Sequence, residues 1–199
     1  MRYYKKIKKI LLACMIPLFI GMAFTHQADA ANGVNAVNSI TIKSADIIPV
    51  DDNYVLDADV DIKFNDDIVE ALLKGFELSF LIEFQLVSPR KYWFDDEIVT
   101  ITNRVALSYH ALSRQYLVIR GDQQKTFATL DDAIAELANI HDIKVFTKSD
   151  VEKGMVYKAA LLMRLDPHKL PKALQVDALS SDEWKMLSQR YEWLPNLFK

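Results

Sequence analysis

Between Tyr54 and Phe64 the chain reads YVLDADVDIKF, and every second residue is apolar: Tyr54, Leu56, Ala58, Val60, Ile62 and Phe64. Asp57, Asp59, Asp61 and Lys63 occupy the far side of this alternation. Successive side chains of an extended chain point to opposite faces, so this stretch fits a strand with one face in a core and the other in water. A helix would spread the same residues around its circumference and bury carboxylates. The alternation returns in FELSFLIEFQLV, where Phe76, Leu78, Phe80, Ile82, Phe84 and Leu86 share a face. Two long strands of this kind each need a hydrogen-bonded neighbour and a layer to cover their apolar side, which makes the fold β-rich.

The remaining segments fit around these strands. Residues Ser39 to Phe64 read as two strands turning at Val50-Asp51-Asp52-Asn53. Asn65 caps a helix of about two turns that begins with Asp66 and Asp67 and ends at Gly75. A strand from about Glu97 to Tyr109, with Val99, Ile101, Val105, Leu107 and Tyr109 on one face, forms a hairpin with the preceding one. QYLVIRGDQQKTF is expected to turn at Gly121-Asp122, and Thr129 caps a helix bearing Leu130, Ala133, Ile134, Leu137 and Ala138. DIKVF fits a short strand or an extended loop. MVYKAALLMRL, after Gly154, fits one more strand, and the Ser180 to Glu183 capping box opens a last helix whose stripe of Trp184, Leu187, Tyr191 and Leu194 docks on the sheet.

This is the pattern of an α+β domain: an antiparallel sheet or sandwich of six to seven strands, with about three helices packed on one side or end. The regular strand–helix alternation of a parallel doubly wound sheet is missing.

The N-terminus fixes the expected compartment. Arg2, Lys5, Lys6, Lys8 and Lys9 precede an uncharged run from Ile10 to Phe24, and Ala28-Asp29-Ala30 offers small residues for cleavage. Residues 1–30 are expected to be a secretory signal, cut between Ala30 and Ala31, which leaves one domain over 31–199 in the periplasm. The alternative is an uncleaved inner-membrane anchor, but the run is shorter than the roughly 18 residues of a span and is broken by Pro17 and Gly21. A lipid-bearing Cys14 would have only Ile10 to Ala13 as its apolar signal core. Cys14 is the sole cysteine, so the cleaved chain relies on packing without disulfides. Cleavage removes five basic residues and Asp29 from the 24 basic and 27 acidic ones, leaving 19 against 26, a charge near −7. Such a surface repels nucleic acid.

Chemistry-bearing patterns are sparse. Asp57, Asp59 and Asp61 imitate calcium-loop spacing, but Ile62 and Ile68 stand where that loop needs Gly and Glu. They fit a solvated strand face that also blunts edge pairing. His110, His141 and His168 lack metal-ligand spacing, and no GxSxG or phosphate-cradling glycine loop is present. Ser113 lies near His110 in sequence, which does not define a triad. No enzyme activity, cofactor or metal is expected.

Arg90, Lys91, Tyr92, Trp93 and Phe94 lie at the junction of the two longest strands, where a loop is ordinarily polar. The favoured reading has the rings capping the core; otherwise they face a partner or the membrane surface, where Trp, Tyr and basic residues are enriched. This loop and the acidic face of Asp57, Asp59 and Asp61 are the candidate partner-binding surfaces.

The ordered segments EALLKGFELSFLIEFQL, RKYWFDDEIV, LSYHALSRQYLV, FATLDDAIAELANI and LDPHKLPKALQVDALSSDEWKMLSQRYEWLP resemble a proteobacterial family catalogued as a domain of unknown function. The resemblance implies an exported protein, often encoded beside a membrane sensor kinase of the nitrogen-regulation type, and carries no reaction or catalytic residue. Tyr92 and Phe94 depart from it, since a second tryptophan is expected within RKYWF. The expected function is a non-enzymatic binding or accessory protein of the envelope, with a sensor kinase or another envelope protein as partner. The alternative is a carrier or sensor for an apolar or lipid ligand held between the long strands and the helices.

Overall fold

The computed structural model describes residues 38–172, 174–176 and 181–198. The expected signal segment, residues 1–30, lies outside them. The described residues belong to one compact unit, Asn35–Lys199, built from two antiparallel sheets.

The smaller sheet has the order β1-β2-β7, with β1 at Ser39–Val50, β2 at Asn53–Lys63 and β7 at Asn139–Thr147. The larger has the order β6-β5-β4-β3-β8-β9, from β3 at Leu78–Ser88, β4 at Asp96–His110, β5 at Gln115–Arg120, β6 at Gln123–Phe127, β8 at Lys158–Leu165 and β9 at Tyr191–Trp193. The α+β sandwich expected from the alternation is the fold observed. All three expected hairpins form, closing at Asp51-Asp52, across residues 89–95 and at Gly121-Asp122.

The alternation turns directly into burial. In β2, Tyr54, Leu56, Ala58, Val60 and Ile62 are buried facing the larger sheet, and in β3 Leu78, Phe80, Ile82, Phe84 and Leu86 face back. Aromatic rings link the layers: Tyr54 stacks on Phe146 at 4.7 Å between centroids, Phe146 lies 6.3 Å from Phe84, and Phe84 lies 6.3 Å from Trp193.

Two helices close the open sides of the core. Helix α1, Asp66–Leu73, buries Ile68, Ala71 and Leu72. Its last turn is a Schellman motif, in which the Phe76 N–H donates to the Ala71 carbonyl at 3.1 Å and the Gly75 N–H to the Leu72 carbonyl at 2.9 Å. That motif needs a left-handed residue, and Gly75 supplies it with φ of 87°. At the other end of α1 the Asn65 side chain accepts the Ile68 N–H at 2.9 Å. Replacing Asn65 with alanine should lower stability by about 1 kcal/mol, seen as a lower urea midpoint with an unchanged m-value. Helix α2, Leu130–Ala138, buries Ala133 and Leu137, and Arg120 donates to the carbonyls of Glu136 (3.2 Å) and Asn139 (3.0 Å) at its C-terminal end. Burial lowers the pKa of this guanidinium, partly offset by the Glu136 charge.

The structure corrects three expectations. The chain forms nine strands among the described residues instead of six or seven, because DIKVF is part of a full strand, β7, and because β9 exists. The expected last helix does not form: Asp182–Trp184 is one 3-10 turn, after which the chain runs extended into β9. Ser180, where that helix was expected to begin, lies outside the described residues. Finally, β2 is the central strand of its sheet, so its carboxylates do not blunt an edge. The edge strand β1 carries Pro49 and a bulge between Ile42 and Ser44, which serve that purpose.

Candidate functional site

The sequence singles out the connection between β3 and β4, and the structure presents it to solvent. Pro89 ends β3 and the chain crosses to Asp96 through a loop that fastens on one residue, Arg90. The Arg90 N–H donates to Asp95 Oδ1 at 3.3 Å and its guanidinium pairs with the Asp96 carboxylate. With its flanks tied in this way, the loop turns its rings outward. Tyr92 is 86% exposed, Trp93 76% and Phe94 86%, so the expectation that these rings cap the core is overturned. Leu86 and Phe84 belong to the core, and Trp193 packs against it 6.3 Å from Phe84, without any of the three loop rings taking part. Trp93 and Phe94 meet edge to face at 6.4 Å, and the Lys91 ammonium lies 5.5 Å from the Tyr92 ring centre.

Sequence reasoning missed other members of this end. Met155 and Val156, read as the start of a strand, lie in the loop before β8 and are exposed. Leu194, placed on the stripe of the expected helix, is 71% exposed just after β9. The available signals were Gly154 before Met155-Val156 and Pro195 after Leu194, since glycine and proline interrupt regular structure.

The acidic row is not brought together with this loop. Asp57, Asp59 and Asp61 lie on the outer face of the smaller sheet. Asp57 Oδ1 accepts the Asp142 N–H at 3.0 Å and lies 3.6 Å from His141 Nδ1, while Asp61 is 3.9 Å from both Lys43 and Lys63. Two of the three carboxylates therefore already have partners on their own sheet.

The cleft beside this loop is lined with mutually engaged charges. Under Phe94 an open cleft of about 260 Å³ is lined by Gln85, Glu97, Lys158, Arg190 and Glu192. Lys158 and Arg190 both pair with Glu192, whose carboxyl is held below its usual range by these hydrogen bonds, that from Lys158 foremost. Arg104, in another cleft, pairs at 3.1 Å with the nearly buried carboxylate of Asp166. His110 Nδ1 lies 3.3 Å from Ser113 Oγ in the exposed turn between β4 and β5. No group of three or more His, Cys, Asp or Glu is placed to hold a metal ion among the described residues, and none of their helices is long and apolar enough to cross a membrane.

Fold and surface together define a two-sheet α+β sandwich with a closed core and an exposed aromatic end. The chain belongs to the family described as Domain of unknown function (DUF4390), whose model matches residues 37–194. No curated protein and no solved structure matches the chain.

Proposed function

We propose that this chain is an exported, non-enzymatic binding or accessory protein of the bacterial envelope, and that the aromatic end is its contact surface. The observation that carries this reading is the exposure of Tyr92, Trp93 and Phe94 on a loop fastened by Arg90. Exposing three adjacent rings on a tied loop forgoes burial that a solitary protein would use. The signal-like N-terminus motivates export. The resemblance to proteobacterial proteins encoded beside a nitrogen-regulation-type sensor kinase makes that membrane kinase the partner to test.

The packing favours a surface contact over an internal carrier. Phe80, Phe84, Leu78, Leu86, Leu107 and Leu161 fill the space between the long strands and are at most 1% exposed. An apolar ligand would have to displace them.

Affinity purification from mild detergent extracts tests the reading. The parent chain is expected to retain the kinase and Trp93→Ala to lose it, while the stability of the variant stays within about 0.5 kcal/mol of the parent's, as is typical of surface substitutions. Absence of the kinase from the parent's eluate would remove it as the partner.

A further inference from the structure

We propose that the aromatic end docks on the surface of a phospholipid bilayer, with Trp93 and Phe94 entering the headgroup region. This rests on the reading of that end as the contact surface and names what the surface meets.

Segments far apart in sequence converge there. Val87 pairs with Lys158, the Ser88 hydroxyl donates to the Val156 carbonyl at 3.3 Å, and Ala159 pairs with Trp193. The loop after β3, the loop before β8 and the chain after β9 therefore leave the larger sheet at one end. Tyr92, Trp93, Phe94, Met155, Val156 and Leu194, which they carry, are all more than half exposed. Residue Ser39, where β1 begins, is at the opposite end of that strand from the turn at Asp51-Asp52, whose Asp52 carbonyl accepts the Lys148 N–H at 2.9 Å just before these loops. The start of β1 thus lies away from the aromatic end, on the side where Phe64 stacks on Phe80 near the beginning of β3.

The charges on these loops are sorted. Asp95 and Asp96 are both engaged by Arg90, and Asp150 accepts the Thr147 N–H and hydroxyl, each at 2.7 Å. Lys91 and Lys153 are exposed beside Tyr92 and Met155, and neither forms an ion pair among the described residues. Glu152 is the carboxylate of these two loops left outside such contacts. Rings and aliphatic tips with ammonium groups beside them, and carboxylates folded back, suit phosphates lying over hydrocarbon. Separate protruding tips can enter a deformable interface without a shaped counterpart, whereas a protein would have to supply a pocket for each. The acidic remainder of the exported chain, repelled by anionic lipid, keeps the other faces turned away.

Vesicles of phosphatidylethanolamine and phosphatidylglycerol test this on the chain from Ala31, which contains the whole compact unit Asn35–Lys199. Trp93 is the exposed tryptophan, while Trp184 is buried and Trp193 half-buried, so a change in emission reports mainly on Trp93. The chain is expected to float with the vesicles, with blue-shifted emission that brominated lipid quenches. Trp93→Phe should float but lose most of that shift. Trp93→Asp combined with Phe94→Asp should weaken lipid affinity about tenfold or more, with an unchanged melting point. Failure of the parent to float, or undiminished flotation of the double variant, overturns the proposal. If the parent fails to float yet retains a protein partner in detergent that the double variant loses, the bilayer falls and the contact-surface reading stands. If neither flotation nor retention responds to these residues, both fall.

Discussion

Phe84→Ala is expected to remove about 3–5 kcal/mol of stability, the range for deleting a fully buried phenyl ring. The side chain is 1% exposed in the middle of β3, with the Phe146 ring on one side and Trp193 on the other, each 6.3 Å away between centroids. Phe146 belongs to the smaller sheet and Trp193 to the edge strand of the larger one, so Phe84 is where three parts of the fold meet. Alanine would leave a cavity that none of the three can close without moving a strand held in its ladder. For a domain of this size the loss corresponds to a drop in Tm of roughly 6–20 °C, since each kcal/mol shifts Tm by about 2–4 °C. Near-ultraviolet circular dichroism should weaken with it, because the rings lose their fixed packing. Phe84→Leu keeps most of the volume and should cost about 1.5 kcal/mol or less. A loss under 1 kcal/mol for Phe84→Ala would show that the layers are not joined through this ring.

The strands legible in the sequence are those whose core-facing residues recur with a clean period of two, even where the other face is covered as well, as at Val55, Ser79 and Leu81. In β2 and β3 the sequence has no competing pattern, and a strand whose inner face packs against another sheet must show this alternation. Turn chemistry added the rest: Asn65 and Gly75 bound α1 where their backbone roles require, and Gly121 adopts the left-handed conformation at the β5–β6 turn. Strand β7 was harder to read because α2 runs into it without a glycine stop, the C-cap being Asn139 with an extended backbone. Its alternation is also interrupted, since Asp142 sits at a φ of 55° and the pairing with β2 slips register twice.

The aromatic loop was legible as a position but not as an orientation. Composition at a strand junction cannot say whether rings point into a core or away from it, because either arrangement satisfies the same spacing. What decides is whether the core already has a lid. Trp193 and Phe84 form part of that lid, and the contribution of Trp193 depends on β9, a strand of three residues too short to show a period.

The same short strand explains the misread C-terminus and supplies the second large effect. Trp184, Leu187, Tyr191 and Leu194 are spaced by three, four and three, which is helical spacing. On that stripe Leu194 would be buried and Trp193 would lie off it. In the structure Tyr191 and Trp193 alternate as strand residues and pack on the core, Leu187 is exposed and Leu194 is 71% exposed. Tertiary pairing overrides the local pattern here: the Leu165 N–H donates to the Met186 carbonyl at 2.9 Å, the Ser188 N–H to the Met163 carbonyl at 2.9 Å, and Ala159 and Leu161 pair with Trp193 and Tyr191. An isolated short helix gains too little from its own hydrogen bonds to compete with an open edge of β8. Trp193→Ala should therefore destabilise the protein by about 2–3 kcal/mol, below the range for a fully buried ring because Trp193 is only partly buried and loses less contact. Leu194→Ala should change stability by less than about 0.5 kcal/mol. Urea titrations of the two variants separate the arrangements, since docking of a helix through Leu194 requires the opposite ranking.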